Sequence, residues 1–442
     1  MAASLALLTH TPGAPFAWAG QHIITREQFL RAVLHLSNNL PDKRFAVNLC
    51  NDRYWFTVAF AAALVRGQTS LLPGSRLPHD IASTCANYPD NYSLTDEDVR
   101  NIVYDLRPSQ SPLDWVIPVP EIDGDHIAAI TFTSGSTGQP QPHPKSWASL
   151  VKCAGLTQRH FAVTASNALL ATVPPQHMYG LETSVMLPLI SAASIQRGRP
   201  LFPEDIRQAL LALPAPRILI TTPVHLRACC QTGADWPALQ LVLSATAPLD
   251  SELARRAEAL FKAPVREIYG CTEGGSLASR RTVSGNRWRV FDGIQMQFRE
   301  ETCWMSGGHL DAPVALSDVL EPLTADAFRL LGRHSDMVNI AGKRSSLSSL
   351  NHHLNAIAGV QDGVFVLPDE ADSAQAAPQR LSALVVAPSL SEKAILAALA
   401  TRIDVAFLPR PLYRVAQLPR NDTGKLPRRQ LLALLQRLKP HA

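Results

Sequence analysis

The chain has 442 residues, of which 46% are hydrophobic, and its formal net charge at pH 7 is +4. This length and apolar content allow a large buried core and predict more than one domain. So small a charge does not predict nucleic-acid binding, and no apolar run approaches the roughly 18 residues of a membrane span, so we expect neither partner.

The seven cysteines are odd in number and are never spaced C-x-x-C. This pattern favours neither a disulfide framework nor a zinc site, and it is typical of a soluble protein of the reducing cytoplasm.

The charge is concentrated near the C-terminus, where residues 407–442 carry eight Lys or Arg against one acid, a net charge of +7. A solvated helix face and an anion-binding surface explain this cluster equally well.

Most of the chain alternates between short apolar runs and helix-like stretches. The runs "RFAVNLC", "HIAAITFT", "ALLATVP", "RILITT" and "LQLVLSA" are typical of buried strands, whereas "REQFLRAVLHLSNNL" and "SELARRAEALFKA" have helical periodicity. This alternation predicts an α/β fold with largely parallel sheets.

Two later segments depart from that alternation. Residues 288–306 contain consecutive strand patterns and few helix signals, which predicts a small β subdomain. Beyond Ser335 the order helix, strands, helix predicts a separate α+β domain of about 110 residues. We therefore expect domains at 1–334 and 335–442, with "PDEADSAQAAPQR" as an exposed loop of the second.

The stretch "TFTSGSTGQPQPHPK" (131–145) follows a strand and is rich in small residues. Glycines let successive backbone N–H groups face one side, and hydroxyls add donors, so the loop suits phosphate oxygens. It is not a Walker A loop, because Gly138 is followed by Gln139 and Pro140 and not directly by the Lys-Ser/Thr pair that such a loop requires. Taken alone, the pattern fits a flexible linker as well as a phosphate site.

Further motifs follow in a fixed order: "EIYGCTEGG" (267–275), "LSD" (316–318), "GRHSDMVNIAGKR" (332–344) and "PRNDTGKLPRR" (419–429). This ordered set resembles the core motifs of the adenylate-forming superfamily, and the resemblance covers essentially the whole chain. It implies a large N-terminal domain and a small mobile C-terminal domain. It also implies attack of a carboxylate on the α-phosphorus of ATP, followed by transfer of the acyl group to a thiol.

The resemblance assigns roles to the phosphate loop. It implies that six residues hold the β- and γ-phosphates: Thr133, Ser134, Gly135, Ser136, Thr137 and Gly138. The superfamily usually has a lysine shortly after this loop, where this chain has Gln141, and Lys145 lies four residues later.

In "YGCTEGG" the resemblance implies that Tyr269 stacks on adenine and Thr272 contacts the α-phosphate. Glu273 would hold Mg²⁺, a cation that prefers carboxylate and phosphate oxygens. Cys271 has no locally paired histidine, so we interpret it as a packing residue and not as a nucleophile.

Two further segments are implied to contact the nucleoside. "SATAPL" (244–249) would border adenine and the acyl pocket through Ala245 and Thr246. Asp318 would accept the ribose hydroxyls and Arg333 would reach ribose or phosphate. Leu316 and Ser317 replace the usual Thr-Gly before that aspartate.

The C-terminal motifs imply the remaining parts of the mechanism. Ser335 occupies the usual hinge position, and Gly342, Lys343 and Arg344 match a loop that lines the pantetheine tunnel. Lys425 would bridge the carboxylate and the α-phosphate during adenylation.

"VPPQHMYGLE" (173–182) resembles the wall of the acyl pocket and places His177 beside the carboxylate. Met178 stands where amino-acid-activating domains carry an aspartate, which disfavours an α-amino acid. The compact layout is similar to ligases of aryl-polyene and xanthomonadin-type pigment pathways. That similarity implies an aromatic acid such as 4-hydroxybenzoate, with CoA or the phosphopantetheine of an acyl carrier protein as acceptor. An enzyme that stops at acyl-AMP, one that uses a medium-chain or other acid, and a catalytically lapsed nucleotide-binding scaffold remain alternatives.

Overall fold

We describe the protein from a computed structural model that covers residues 3–9, 11, 13–104, 117–134, 140–300, 302–333, 337–340, 343–367, 380–420 and 426–438. The helices in these ranges are α1 (Arg26–Asn39), α2 (Arg53–Val65), α3 (Pro78–Asn87), α4 (Asp96–Tyr104), α5 (Trp147–His160), α6 (Met178–Leu181), α7 (Leu187–Ser191), α8 (Pro203–Ala212), α9 (Pro223–Cys229), α10 (Ser251–Phe261), α11 (Leu347–Asn355), α12 (Glu392–Ala400) and α13 (Arg428–Leu438). A π-helical turn (Glu182–Met186) joins α6 to α7, and short 3₁₀ turns occur at Thr282–Ser284 and Val405–Phe407.

The strands up to residue 200 are β1 (Ser4–Ala6), β2 (Pro15–Ala19), β3 (His22–Thr25), β4 (Phe45–Asn48), β5 (Thr69–Leu72), β6 (Asn91–Leu94), β7 (Glu121–Asp123), β8 (Ile127–Ser134), β9 (Pro140–Ser146), β10 (Ala168–Ala171) and β11 (Ser194–Gln196). The later strands are β12 (Arg217–Thr221), β13 (Leu241–Ser244), β14 (Val265–Cys271), β15 (Gly275–Arg281), β16 (Trp288–Val290), β17 (Ile294–Arg299), β18 (Thr302–Gly307), β19 (Val314–Ala315), β20 (Asp318–Thr324), β21 (Ala327–Arg333), β22 (Met337–Ile340), β23 (Lys343–Ser346), β24 (Asp362–Val366), β25 (Ser382–Val386) and β26 (Leu412–Arg414).

The largest sheet has eleven strands in the order β20-β21-β16-β15-β14-β13-β12-β10-β11-β2-β3. From β2 to β14 the neighbouring strands are parallel. Beyond β14 the pairs are antiparallel, as is the β2–β3 hairpin. The α/β prediction is therefore confirmed. Three of the apolar runs predicted as strands, "ALLATVP", "RILITT" and "LQLVLSA", form β10, β12 and β13 in the parallel centre of this sheet.

A second sheet has the order β6-β4-β5-β8-β9 and is parallel except for the β8–β9 hairpin. The predicted phosphate loop belongs to this hairpin, because β8 ends at Ser134 and β9 begins at Pro140. Helix α5 follows β9 directly, and its first turn is capped by the Ser146 hydroxyl, which accepts from the Ser149 N–H.

Residues 288–306 consist largely of strand, as the sequence indicated. β17, β18 and β19 form a sheet of their own, whereas β16 joins the margin of the eleven-stranded sheet. The two sheets meet near β18 and β20, so this segment lies next to Asp318.

The buried apolar residues form several clusters that do not cross residues 331–337. Among the described residues, three clusters contain no member after Leu330, whereas the two others begin at Val338 and at Val364. The clusters before residue 331 and those after residue 337 can therefore each bury the apolar surface of their own segment, which is the physical requirement for an independent domain. Within the described ranges, no helix is both long and apolar enough to cross a bilayer.

Candidate active site

The central strands bring several sequence motifs to one edge of the large sheet. β10, β12, β13 and β14 are parallel neighbours, so their carboxyl ends lie together, which is where ligands bind in sheets of this kind. The segment with His177 follows β10, Ala245 and Thr246 follow β13, and the Tyr269–Glu273 motif closes β14.

Tyr269 and Asp318 are in direct contact. The Tyr269 hydroxyl donates to Asp318 Oδ2 at 2.7 Å, and its ring packs edge-on against Trp288 and Phe328. Burial, with the Asp318 charge as the next cause, raises the pKa of Tyr269 far above its usual value, so this hydroxyl is a donor at any physiological pH. Asp318 also pairs in register with Arg333 across β20 and β21, so two residues assigned to the ribose are cross-strand neighbours.

The loop after β13 is held in an unusual conformation. Thr246 has φ +78°, a left-handed value that is rare for a β-branched residue. The buried carboxylate of Glu267 accepts the Leu249 N–H at 2.9 Å and so fixes the end of this loop. Backbone strain of this kind concentrates at ligand-binding segments. The assignment of Ala245 and Thr246 to the nucleotide stays a prediction.

Glu267 is a residue that sequence reasoning missed. Besides the loop, it binds the Arg280 guanidinium at 2.6 Å and the Thr282 hydroxyl at 2.6 Å. Its position two residues before Tyr269, inside an apolar strand, was the available signal, since a buried acid needs such partners.

Glu273 presents a carboxylate that fits a magnesium ion. Its side chain is 47% exposed, and its Oε1 lies 3.8 Å from Nε2 of His143 on β9. A solvent-facing carboxylate beside His143 of β9 supplies the hard oxygen ligand that Mg²⁺ takes together with nucleotide phosphates. Burial lowers the pKa of His143, although the charge of Glu273 opposes that effect.

Lys145 reaches the same segment from β9. Residues 141, 143 and 145 share one face of that strand, because side chains alternate between faces. The ammonium of Lys145 donates to the Glu273 carbonyl oxygen at 2.5 Å and is buried. Burial lowers the pKa of Lys145, and Glu182 is the largest opposing charge. The chain thus has a cation at this site, although it comes from position 145 and not from position 141.

Glu182 forms the centre of a buried polar cluster that the sequence did not reveal. It is 1% exposed, and it accepts from the Ser276 hydroxyl at 2.5 Å, the Ser276 N–H at 3.2 Å and the Cys153 thiol at 3.1 Å. These contacts join α5, the π-helical turn and the start of β15. A lone acid in the apolar run "GLETSVMLPLI" was the signal for such a cluster.

The cysteine of the "YGCTEGG" motif is not poised as a nucleophile. Burial, and then the charge of Glu273, raise the pKa of the Cys271 thiol to about 12, and its sulfur accepts from the Gly274 N–H at 3.3 Å. This agrees with the interpretation of Cys271 as a packing residue.

His177 is the N-cap residue of α6, and its carbonyl accepts from the Leu181 N–H. The next turn of the chain is tied to the sheet, because the Tyr179 hydroxyl donates to the Leu243 carbonyl at 3.0 Å. The predicted acyl-pocket motif is thereby held against the loop that contains Ala245.

Several predicted residues are described only in part. Thr133, Ser134, Arg333 and Arg344 are seen as strand positions without a description of their side chains. Residues 135–138, Ser335 and Lys425 lie outside the described residues, so their assignments stay predictions. The structure does bring together Tyr269, Asp318, Glu273 and the loop of Ala245 and Thr246.

The eleven-stranded α/β sheet, with these motifs at the carboxyl ends of its strands, defines the class of adenylate-forming enzymes. The profile of the AMP-binding enzyme family matches residues 44–313, and the chain belongs to that family. The 4-coumarate–CoA ligase of Rhodobacter capsulatus is 27% identical over 284 residues, which are 63% of this chain and 68% of that protein.

Two solved structures show the same fold at low sequence identity. The ATP-bound RpMatB-BxBclM chimera B3 superposes with a TM-score of 0.82 at 16% identity, covering 97% of each chain. A benzoate CoA ligase from Burkholderia xenovorans LB400 superposes with a TM-score of 0.77 at 16% identity, covering 95% of this chain and 96% of that one.

Proposed function

We propose that this protein is an AMP-forming ligase that activates a carboxylic acid with ATP and transfers the acyl group to a pantetheine thiol. In the first step a carboxylate oxygen attacks the α-phosphorus, the bond to the pyrophosphate oxygen breaks, and acyl-AMP forms. In the second step the thiol sulfur attacks the acyl carbon, AMP leaves, and the thiol proton passes to solvent. CoA and the phosphopantetheine of an acyl carrier protein are both candidates for the thiol.

The observation that carries the proposal is the hydrogen bond between Tyr269 and Asp318 at the edge where Glu273 also lies. In this proposal the Tyr269 ring packs on adenine, and Asp318 accepts the ribose hydroxyls. Thr272 contacts the α-phosphate, and Thr133, Ser134 and the residues that follow them hold the departing pyrophosphate.

Magnesium, when bound, would neutralise charge on the phosphates and polarise them for attack. Glu273 is the residue that would hold it, because its carboxylate is exposed at the site. Lys425 would add a positive charge at the reacting carboxylate and α-phosphate. His177 would lie beside the same carboxylate.

We propose two domains, 1–334 and 335–442, with Lys425 and Arg344 on the smaller one. The separation of the apolar clusters at residues 331–337 supports this division. Rotation of the smaller domain would exchange Lys425 for the segment of Arg344 at the site, so that one cleft serves both steps.

We propose an aromatic acid such as 4-hydroxybenzoate as the substrate. The 4-coumarate–CoA ligase of Rhodobacter capsulatus, a sequence relative, is named for an aromatic acid. Membership of an aryl-polyene type of pigment pathway is a narrower form of the same proposal.

The test is acid-dependent release of pyrophosphate from ATP and Mg²⁺ across benzoates, cinnamates, propionate and medium-chain acids. We expect release with at least one aryl acid, and thioester formation when CoA or a phosphopantetheinylated carrier protein is then added. Binding of ATP without release by any acid would favour the lapsed scaffold. Release without transfer to either thiol would favour an enzyme that stops at acyl-AMP.

A further inference from the structure

Residues 172–183, here called the His177 segment, leave the large sheet at the end of β10 and lead into the π-helical turn. The two limbs of this segment lie against each other. A Cβ on Gly180 would lie 1.9 Å from the Pro174 carbonyl oxygen, so only a glycine lets the two backbones come this close. The position of His177 therefore depends on how the ends of the segment are held.

Arg53 binds the His177 segment at both ends. Its Nη2 donates to the Ala171 carbonyl at 2.9 Å and to the Val173 carbonyl at 2.7 Å. Its Nη1 donates to the hydroxyl of Ser184. The side chain is fully buried, so water does not compete for these contacts. A single guanidinium thus connects the residues before His177 with those after it.

Ser184 extends this connection into the second limb. Its hydroxyl, which accepts from Arg53, also donates to the Gly180 carbonyl at 2.5 Å. A planar guanidinium presents its N–H groups in a fixed fork, so its hydrogen bonds define direction as well as distance. Arg53 therefore fixes the first limb directly and the second limb through Ser184.

The start of α2 holds the backbone of Arg53 in place. Asp52 caps this helix by accepting the N–H groups of Tyr54 and Trp55, at 2.9 and 3.2 Å. The other carboxylate oxygen of Asp52 binds Nε of Arg197 at 2.6 Å. The Arg53 N–H itself donates to the Arg197 carbonyl at 3.1 Å. The guanidinium thus acts on the His177 segment from a fixed base.

The charge of Arg53 is not neutralised by an acid within the described part of the chain. The adjacent acid, Asp52, forms its ion pair with Arg197. Burial, and then the charge of Arg199, lower the pKa of Arg53 to about 9, so the side chain stays charged at neutral pH. Burying a charge in this way costs free energy. The hydrogen bonds to the two ends of the His177 segment are the interactions that offset this cost.

We propose that Arg53 is a positioning residue for activation of the acid, because it holds both ends of the His177 segment and so sets where His177 lies against the substrate carboxylate. The inference rests on the proposed function, which places His177 beside that carboxylate. Arg53 acts through the segment and does not contact the acid. A displacement of about 1 Å near reacting groups can cost about 10²-fold in rate, so a loosened segment should slow the first step.

Arg26 offers a matched control, because it is buried in the same way in another part of the molecule. Its terminal nitrogens donate to three backbone carbonyls, each at 2.9 Å: those of Thr9, Pro188 and Ala193. Like Arg53, it is fully buried, and its Nε has no partner among the described residues. None of the three carbonyls belongs to the His177 segment. Arg26→Met therefore removes a comparable set of hydrogen bonds without loosening that segment.

The experiment measures kcat/KM for the acid in pyrophosphate release and, separately, the dissociation constant of ATP. For Arg53→Met we expect kcat/KM for the acid to fall about 10²-fold and the dissociation constant of ATP to stay unchanged. Arg26→Met should change neither quantity, although it should also lower the free energy of unfolding. Equal falls of kcat/KM in the two variants, or no fall in Arg53→Met, would overturn the inference.

Arg53→Lys separates the charge from the geometry. It keeps the positive charge but not the planar fork, so we expect it to resemble Arg53→Met in kcat/KM for the acid. Full activity in this variant would show that the charge alone suffices, and it would overturn the positioning role.

Ser184→Ala tests the same connection should Arg53→Met not fold. It removes the hydroxyl between Arg53 and Gly180 and should lower kcat/KM for the acid about tenfold. Ser191→Ala is its control, because the Ser191 hydroxyl also donates to a carbonyl four residues earlier, that of Leu187, at 2.6 Å. It should leave kcat/KM unchanged. Equal effects of the two serine substitutions would contradict the proposal.

The position of His177 can also be followed without catalysis. In ¹H–¹³C spectra of protein labelled at histidine Cε1, the His177 signal is the one that His177→Gln removes. We expect this signal to shift in Ser184→Ala and to stay in place in Ser191→Ala. A signal that stays in place in both would overturn the inference. A shift in Ser184→Ala in a protein that activates no acid would contradict the proposed function and leave the hold of Arg53 on His177 established.

Discussion

Tyr269 illustrates how single residues build the site. Its ring makes edge contacts with Trp288 and Phe328 from the antiparallel margin of the sheet, and its hydroxyl donates to Asp318. Lys145 is similar in that one side chain connects β9 to the loop of Glu273. In both cases the contact joins segments that are more than 40 residues apart in sequence.

Replacing Tyr269 with phenylalanine tests the first contact. The variant keeps the ring but removes the hydroxyl that donates to Asp318, so we expect the KM for ATP to rise about fivefold, the effect of one net hydrogen bond. Steady-state pyrophosphate release at varied ATP measures this change.

Tyr92→Phe is the control for that measurement, since the Tyr92 hydroxyl donates to Gln68 Oε1 at the same distance of 2.7 Å. It should lower the free energy of unfolding by about 1 kcal/mol and leave the KM for ATP unchanged. If Tyr269→Phe also leaves the KM for ATP unchanged, that result would argue against a role for Asp318 at the nucleotide.

At the scale of elements, the turn between β14 and β15 is fixed by its neighbours. Lys145 and His309 bind the carbonyls of Glu273 and Gly274, and Glu182 binds both the N–H and the hydroxyl of Ser276. The turn also requires glycine at 275, which has φ +67°. A Cβ there would lie 2.2 Å from Glu182 Oε1.

Gly275→Ala should therefore destabilise the protein by about 2–4 kcal/mol, from the left-handed backbone together with the clash in a packed interior. The free energy of unfolding in urea measures the loss. Gly20 has a similar φ of +64°, and a Cβ at that position would have no atom within 4 Å, so Gly20→Ala isolates the backbone contribution of about 1 kcal/mol. Equal losses of unfolding free energy in the two variants would show that the Glu182 side chain moves away from the new Cβ at no measurable cost in stability.

In the part of the chain that the structure describes, the buried apolar clusters fall into two groups on either side of residues 331–337. Such a division lets one part move relative to the other without exposing a shared core. The proposed mechanism uses this freedom, because Lys425 is needed in the first step and the pantetheine thiol in the second.

Lys425→Ala separates the two steps. We expect acyl-AMP formation to slow on the order of 10²–10³-fold, the effect of removing one preorganised charge, while thioester formation from presynthesised acyl-AMP is retained. Lys393→Ala removes an exposed lysine from α12 and should change neither rate. Equal loss in both steps for Lys425→Ala would contradict the proposed rotation.

Much of the fold was predictable from local pattern. The five apolar runs became strands of the two largest sheets, and "SELARRAEALFKA" became α10, because periodicity and capping residues are local properties of the chain. The placement of β16 in the main sheet, apart from β17–β19, was not predictable, since strand pairing depends on contacts between distant segments.

For the site, the sequence by itself determined the order of the motifs and the residue types that can meet phosphate, ribose and metal, since a motif needs only neighbours along the chain. Only the tertiary structure decided that Lys145 binds the Glu273 segment and that Glu267 fixes the loop of Ala245. It also decided that Cys153, Glu182 and His309 meet beside a cavity. A buried acid or histidine is recognised by the partners that satisfy it, and those partners come from other strands and helices.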